Sequence, residues 1–317
     1  MQVVQACFQQ LGVVALAAAP LGIPATAFWI YVCAALVFII GFIRILGELP
    51  RERGINKLMP FGRLCFGIPI GVFGTEHFTV TAGIAALVPR WIPAHTFWVY
   101  LVGVGFLCAA FSFALLVQAR LAAVLLGMTF LIFVCVMDLP AAAGNPGNRF
   151  FWALALRELS FGSGAFAFAM SPWSTRSRQE APARRIPLCI ALPRFAVGVA
   201  SVFYGVENLL HPANVPGVPL QKLTPEWIPG RLAASYFVGV VLIAAGLCLL
   251  FNLKTRTAAT FLGLTILLAI LWVYLPMLLR APTDIVALNY FFDTLLFAGT
   301  ALLLAGAMDD KSNAAKV

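Results

Sequence analysis

An all-α integral membrane protein, made of two tandem four-helix transmembrane bundles (parallel repeats) plus one N-terminal transmembrane helix, is the fold class that the sequence predicts. Three observations predict it: an apolar composition, apolar runs of membrane-spanning length, and an internal repeat. The 317-residue chain is 62% hydrophobic and only 10% charged, with a mean hydropathy of +0.96. Soluble domains carry about 25% charged residues, so this chain has lipid as its solvent. The net charge of +9 does not point to nucleic acid. Its basic residues stand in short clusters between apolar runs, as topology signals do. The partner implied is therefore the lipid bilayer, with no nucleic acid.

A span needs about 20 apolar residues to cross roughly 30 Å of hydrocarbon. Nine such stretches are expected, near 25–46, 62–83, 96–117, 119–139, 150–171, 188–210, 232–251, 256–276 and 285–306. The apolar stretch 11–19 is too short to span. It reads as a membrane-associated segment or part of a leader, although no Lys or Arg precedes it. Arg44, Arg51, Arg53, Lys57, Arg63, Arg120, Arg194, Lys254 and Arg256 all fall on one side, with the linker and tail cations. The other side holds Arg90, Arg149, Lys222, Arg231 and Arg280. This bias makes the first side cytoplasmic, so the amino terminus lies outside and the carboxyl terminus inside. The cysteines form no Cys-x-x-Cys pair. They read as small packing residues, with no disulfide framework and no metal site.

The repeat organises the rest. Gly67, Phe73, Gly74 and Glu76 match Gly198, Tyr204, Gly205 and Glu207 at an offset of 131. A five-residue insertion then moves the offset to 136. From there Trp91-Ile92-Pro93 matches Trp227-Ile228-Pro229, Arg120 matches Arg256, and Pro140 matches Pro276. At an offset of 135, Glu158 meets Asp293 and Gly164 meets Gly299. The implied organisation is an N-terminal segment (1–58), a first unit (59–172), a basic linker (173–187), a second unit (188–308) and a polar tail (309–317). Four spans per unit return the chain to its starting side, so the repeats are parallel rather than inverted. Trp91 and Trp227 read as interfacial anchors, each with a Pro that starts the next helix.

Residues Gly62 to Phe78 carry the pattern Gly-Arg-x-x-x-Gly-x-x-x-x-x-x-Gly-x-Glu-His-Phe, followed by Val88-Pro89-Arg90-Trp91-Ile92-Pro93. This opening of a four-helix unit resembles the DoxX family of bacterial membrane proteins, over 62–170 and, in a more divergent form, over 194–306. The resemblance implies a four-helix bundle and a bacterial inner (cytoplasmic) membrane. It further implies association with quinone-linked sulfur oxidation or with other membrane oxidoreductase and assembly complexes.

Ionisable groups within a span are costly and face a bundle interior or a water-filled cavity. Glu76 lies thirteen residues past Arg63, about 20 Å in at ~1.5 Å per residue. Glu158 lies about 12 Å in from the opposite end of its helix. Both therefore reach the outer half of the bilayer, and Glu207 and Asp293 repeat the pattern. First and fourth helices neighbour each other in a closed bundle, so Glu76 is expected near Arg157 or Glu158, and Glu207 near Asp293. The candidate pocket between helices 1 and 4 of each repeat comprises Glu76, His77, Arg157, Glu158, Tyr204, Glu207, Asn208, Asn289 and Asp293. Two carboxylates together in low dielectric cannot both stay charged cheaply.

Such residues serve one of three ends. They fasten helices by hydrogen bonds, they accept a quinone headgroup and its protons, or they pass an ion or solute. His77, His95 and His211 do not form the facing pair that a haem needs, and there is no phosphate loop or nucleophile elbow. The leading functional reading is a membrane subunit of a quinone-linked electron-transfer complex. It would have no cofactor of its own, quinone as substrate, and redox-complex subunits as partners. The alternatives are a non-catalytic scaffold or assembly factor and a small-molecule transporter.

Overall fold

The computed structural model describes residues 23–175, 187–218 and 221–308. The stretch 11–19, most of the linker and the polar tail lie outside these residues. Among the described residues the structure is helical, and its one β-type pairing is an isolated bridge between Asn214 and Leu223. Nine long helices are described: α1 (Ala25–Glu48), α2 (Met59–Thr79), α3 (His95–Leu115), α4 (Ala119–Phe133), α5 (Arg149–Ala169), α6 (Pro187–Leu210), α7 (Arg231–Leu250), α8 (Thr255–Ala269) and α9 (Ile285–Ala307). Val80 leaves helical geometry, so the expected span 62–83 ends early and a short helix, Thr81–Ala85, follows it.

Eight of the nine segments are long and apolar enough to cross a membrane; α5 is the one that is not. The difference from the nine expected has a local cause. Arg157 and Glu158 lower the hydropathy of α5, while its 21 residues still extend about 31 Å. Contacts with its apolar neighbours run along its length. Tyr204 of α6 donates to the Ala153 carbonyl near one end, and Ser171, just past the other, donates to the Gly306 carbonyl of α9.

Helices adjacent in sequence pack side by side within 59–169 and within 187–307. The fourth side of each set is closed by the other set. α2 lies against α9, α6 lies against α5, and α5 and α9 pack on each other at the centre. Small residues permit this seam. A Cβ on Gly299 would stand 2.6 Å from the backbone nitrogen of Phe66, one on Gly62 2.8 Å from Leu302 Cβ, and one on Gly164 2.9 Å from Thr300 Oγ1. Close backbone approach is the main route to packing energy where lipid tails are as apolar as the helices. α1 leans on α2 and α3, while large apolar side chains such as Ile43, Leu125, Phe261 and Leu271 face outward.

The same backbone features recur 136 residues apart. π-helical turns at Val134–Asp138 and Ile270–Tyr274 interrupt the fourth and eighth helices, which resume at Leu139–Gly144 and Leu275–Arg280. Each turn precedes a proline, Pro140 or Pro276. Proline cannot donate to the carbonyl four residues back and its ring collides there, so the wider π turn absorbs the displaced carbonyls. Asn148 and Asp284 both cap the following helix, accepting from Phe150 N at 3.1 Å and Val286 N at 3.0 Å. Asp293 and Arg157 stand at this same spacing, whereas Asp293 and Glu158 stand 135 residues apart. Pro93 and Pro229 precede the cap residues Ala94 and Gly230 rather than starting a helix. Their carbonyls accept instead from the indoles of Trp98 and Trp272, at 3.0 Å each.

The seam makes a sharp stability prediction. Gly299→Ala should cost about 1–3 kcal/mol, because backbone atoms cannot yield to the new methyl. Gly105→Ala, with nothing within 4 Å of its Cβ position, should be neutral or stabilising. Reversible unfolding in mixed micelles measures both.

Candidate functional site

The central polar cluster lies on the α5–α9 seam. Arg157 on α5 donates from Nη1 to Asp293 Oδ2 of α9 at 2.6 Å and from Nη2 to Glu158 Oε1 at 3.3 Å. Its Nε is buried without a hydrogen-bond partner. On the α2 side, the Asn289 amide nitrogen, in the orientation that satisfies both groups, lies 2.5 Å from Glu76 Oε1 and 3.1 Å from Oε2. Asp293 is within Coulombic range of Glu76. On the α4 side stands Asp138, the last residue of the π turn. It is within Coulombic range of Arg157 and Glu158, and its Oδ2 is buried without a hydrogen-bond partner.

The sequence-predicted residues thus divide. Glu76, Arg157, Glu158, Asn289 and Asp293 gather in one place. Glu207 belongs to a separate ion pair with Arg149 at the start of α5, with His211 Nε2 3.8 Å away. Tyr204 donates to the Ala153 carbonyl at 2.9 Å. His77 donates from Nδ1 to the Phe73 carbonyl at 2.7 Å and sets its ring 5.4 Å from that of Phe106. Asn208 holds the backbone of Gly217 rather than facing the cluster.

The expected partners are corrected. Glu76 meets Asn289, with Asp293 in Coulombic range, rather than Arg157 or Glu158, and Glu207 meets Arg149, not Asp293. Each first helix pairs with the fourth helix of the other half. The physical reason is the glycine-lined approach of α9 to α2, which carries Asn289 to Glu76.

Asp138, Arg149 and Tyr274 were not among the expected site residues. Asp138 stands at the edge of an apolar run and Arg149 at a helix start, where both read as boundary residues. The signal available was Pro140, which forces the π turn that presents Asp138. Among the described residues, no group of three or more His, Cys, Asp or Glu is disposed to hold a metal ion.

Removing one partner of a buried ion pair leaves an uncompensated charge. Arg157→Met should therefore destabilise by about 3–5 kcal/mol. Arg157→Met combined with Asp293→Leu should recover much of that loss. A double-mutant cycle on unfolding in micelles reads the coupling.

No curated protein and no solved structure matches the chain. Residues 189–275, which run from α6 through α7 to the end of the π turn after α8, match the DoxX family model. The match lies in the half with the more divergent form of the quoted motif. Over that stretch the chain is similar to the DoxX family of integral membrane proteins.

Proposed function

We propose that the protein is a duplicated DoxX-like membrane unit whose central polar cluster serves a quinone-linked electron-transfer complex, with the basic face cytoplasmic. The duplication is supported by the π turns, capping residues and prolines that recur at one offset. The observation that carries the functional reading is an asymmetry between two corresponding carboxylates. Glu207 is met by a guanidinium, Arg149, whereas Glu76 is met by a neutral amide, Asn289. An ion pair that satisfies Glu207 suits a structural pin. An intramembrane carboxylate held by an amide, within Coulombic range of Asp293, suits chemistry that takes up or passes on protons. Oxidation of a quinol releases protons within the bilayer and needs such a receiver. The electrons would pass to redox subunits bound alongside.

Gentle detergent extraction followed by solvent extraction of the purified protein tests this. Quinone should travel with the wild type, and Glu76→Gln should weaken its retention about 10–100-fold, the equivalent of one hydrogen bond to a charged group. Glu207→Gln should retain it. Wild-type protein free of quinone but still bound to its partner subunits would overturn the reading in favour of a scaffold or assembly factor. Retention unchanged by Glu76→Gln would remove this residue from the site.

A further inference from the structure

The two bundles differ most at the ends remote from the basic face. In the second, the chain between α6 and α7 folds back into the bundle, and Asn214, Val215, Pro216, Gly217 and Val218 are all buried. Two residues from different helices hold this segment. Asn208 of α6 donates from Nδ2 to the Gly217 carbonyl at 3.3 Å and accepts from the Gly217 nitrogen at 3.2 Å. Tyr274, the last residue of the second π turn, donates to the Pro216 carbonyl at 2.6 Å. Gly217 sits so deep that a Cβ there would touch Ile266 at 3.4 Å and Thr294 at 3.5 Å. The second bundle is closed by its own chain.

In the first bundle the corresponding connection is five residues shorter, and none of residues 81–94 is buried. At the offsets of the repeat, the residue corresponding to Asn208 is His77, and that corresponding to Tyr274 is Asp138. The two side chains that converge on the closing segment in one half are thus replaced by two ionisable ones in the other. His77 uses Nδ1 to donate to Phe73, which leaves Nε2 of the neutral ring as an acceptor. Asp138 has a buried oxygen with no hydrogen-bond partner. A buried polar atom left unsatisfied is expensive enough to call for an explanation, and a ligand donor supplies one. Aromatic rings link the two positions, with Phe106 5.4 Å from His77 and 6.3 Å from Phe133.

We infer that the mouth of the first bundle bounded by His77, Phe106, Phe133 and Asp138 is a ligand-binding port for a ring-bearing small molecule that presents hydroxyl donors, whereas the second bundle's mouth is closed by residues 214–218. Two acceptors without donors of their own select hydroxyl groups over bare carbonyls, and the aromatic wall selects a planar ring. The inference rests on the reading of the two halves as copies. It deepens the quinone reading by naming where the ring enters: Asp138 stands between this port and the Arg157–Glu158 pair.

Cysteine accessibility separates this inference from the earlier reading. In membranes containing a variant with the native cysteines replaced by serine, Asp138→Cys should react with a small water-soluble methanethiosulfonate at least about tenfold faster than Tyr274→Cys. Adding Asn208→Leu, which frees Gly217, should raise the rate at position 274. A short-chain dimethoxy-methyl hydroquinone should slow labelling of Phe133→Cys, which leaves both acceptors in place, and its dimethyl ether, lacking donors, should not. Equal rates at the two positions, or equal protection by hydroquinone and ether, would overturn the port. A second measurement needs no substitution. An azide-bearing hydroquinone photo-crosslinked to the wild type should mark peptides of α2 and α4, and marks confined to α6 and α8 would refute the assignment. If labelling behaves as expected while no quinone copurifies, the port stands and the quinone-linked role falls.

Discussion

The arrangement of the helices depends on one ion pair, Arg157 with Asp293 at 2.6 Å. A guanidinium carried into the bilayer costs several kcal/mol unless it is paired in the interior. Arg157 and Glu158 are the reason that α5 alone falls short of the apolarity of a span, so α5 needs a polar neighbour at the right level. Asp293 supplies it from α9, and that contact sets the register of the central seam. α2 then lies along α9, where Gly62 and Gly299 allow backbone approach, and α6 lies along α5, where Tyr204 and Glu207 meet Ala153 and Arg149.

The pair is also informative about origin. Arg157 and Asp293 stand 136 residues apart, the spacing of the two π turns and of the two helix caps. Gly164 and Thr300, which touch across the same seam, share that spacing. On the proposed duplication, corresponding residues face each other about a pseudo-twofold axis. In a dimer of identical units the axis would set arginine against arginine or aspartate against aspartate, and like charges in low dielectric repel strongly. On the same proposal, joining two copies in one chain lets the sides diverge to opposite signs. On this reading, the fusion exchanges a symmetric interface for a complementary one, and the two halves can no longer separate without exposing charge to lipid.

The limits of what the sequence discloses follow from the same geometry. Hydropathy locates the helices because lipid imposes both their length and their composition, and the expected bounds of α6 and α9 match closely for that reason. Helix α5 is legible as well, because 150–171 is a largely apolar run of spanning length despite Arg157 and Glu158. The partner of each first helix is not legible at all. A repeat maps a pairing within one unit and a pairing between units onto the same list of matched residues, so Glu76 with Glu158 and Glu76 with Asp293 are equally consistent with it. Only the depth of glycine-to-backbone contact at Gly299 separates them. Asp138 was hidden for another reason. A π turn adds a residue to the helical repeat and rotates everything after it, so a side chain that an ideal helix would place at the span's edge turns toward Arg157.

A division of labour between the halves emerges from how their polar atoms are used. In the second half, Tyr204 donates to the backbone of α5, Asn208 and Tyr274 hold the closing segment, and Glu207 is neutralised by Arg149. Each of these groups is satisfied by protein. At the corresponding places the first half has Phe73, His77, Asp138 and Glu76, of which the last three are ionisable and two answer to a neutral amide or to no hydrogen-bond partner. On the proposed duplication, a unit under pressure only for stability has no reason to strip satisfied hydrogen bonds from one copy and leave acceptors in their place. Buried acceptors persist where something outside the chain meets them. On the proposed port, the buried segment 214–218 closes one bundle, and the ionisable groups at the corresponding places leave the other free to take a ligand.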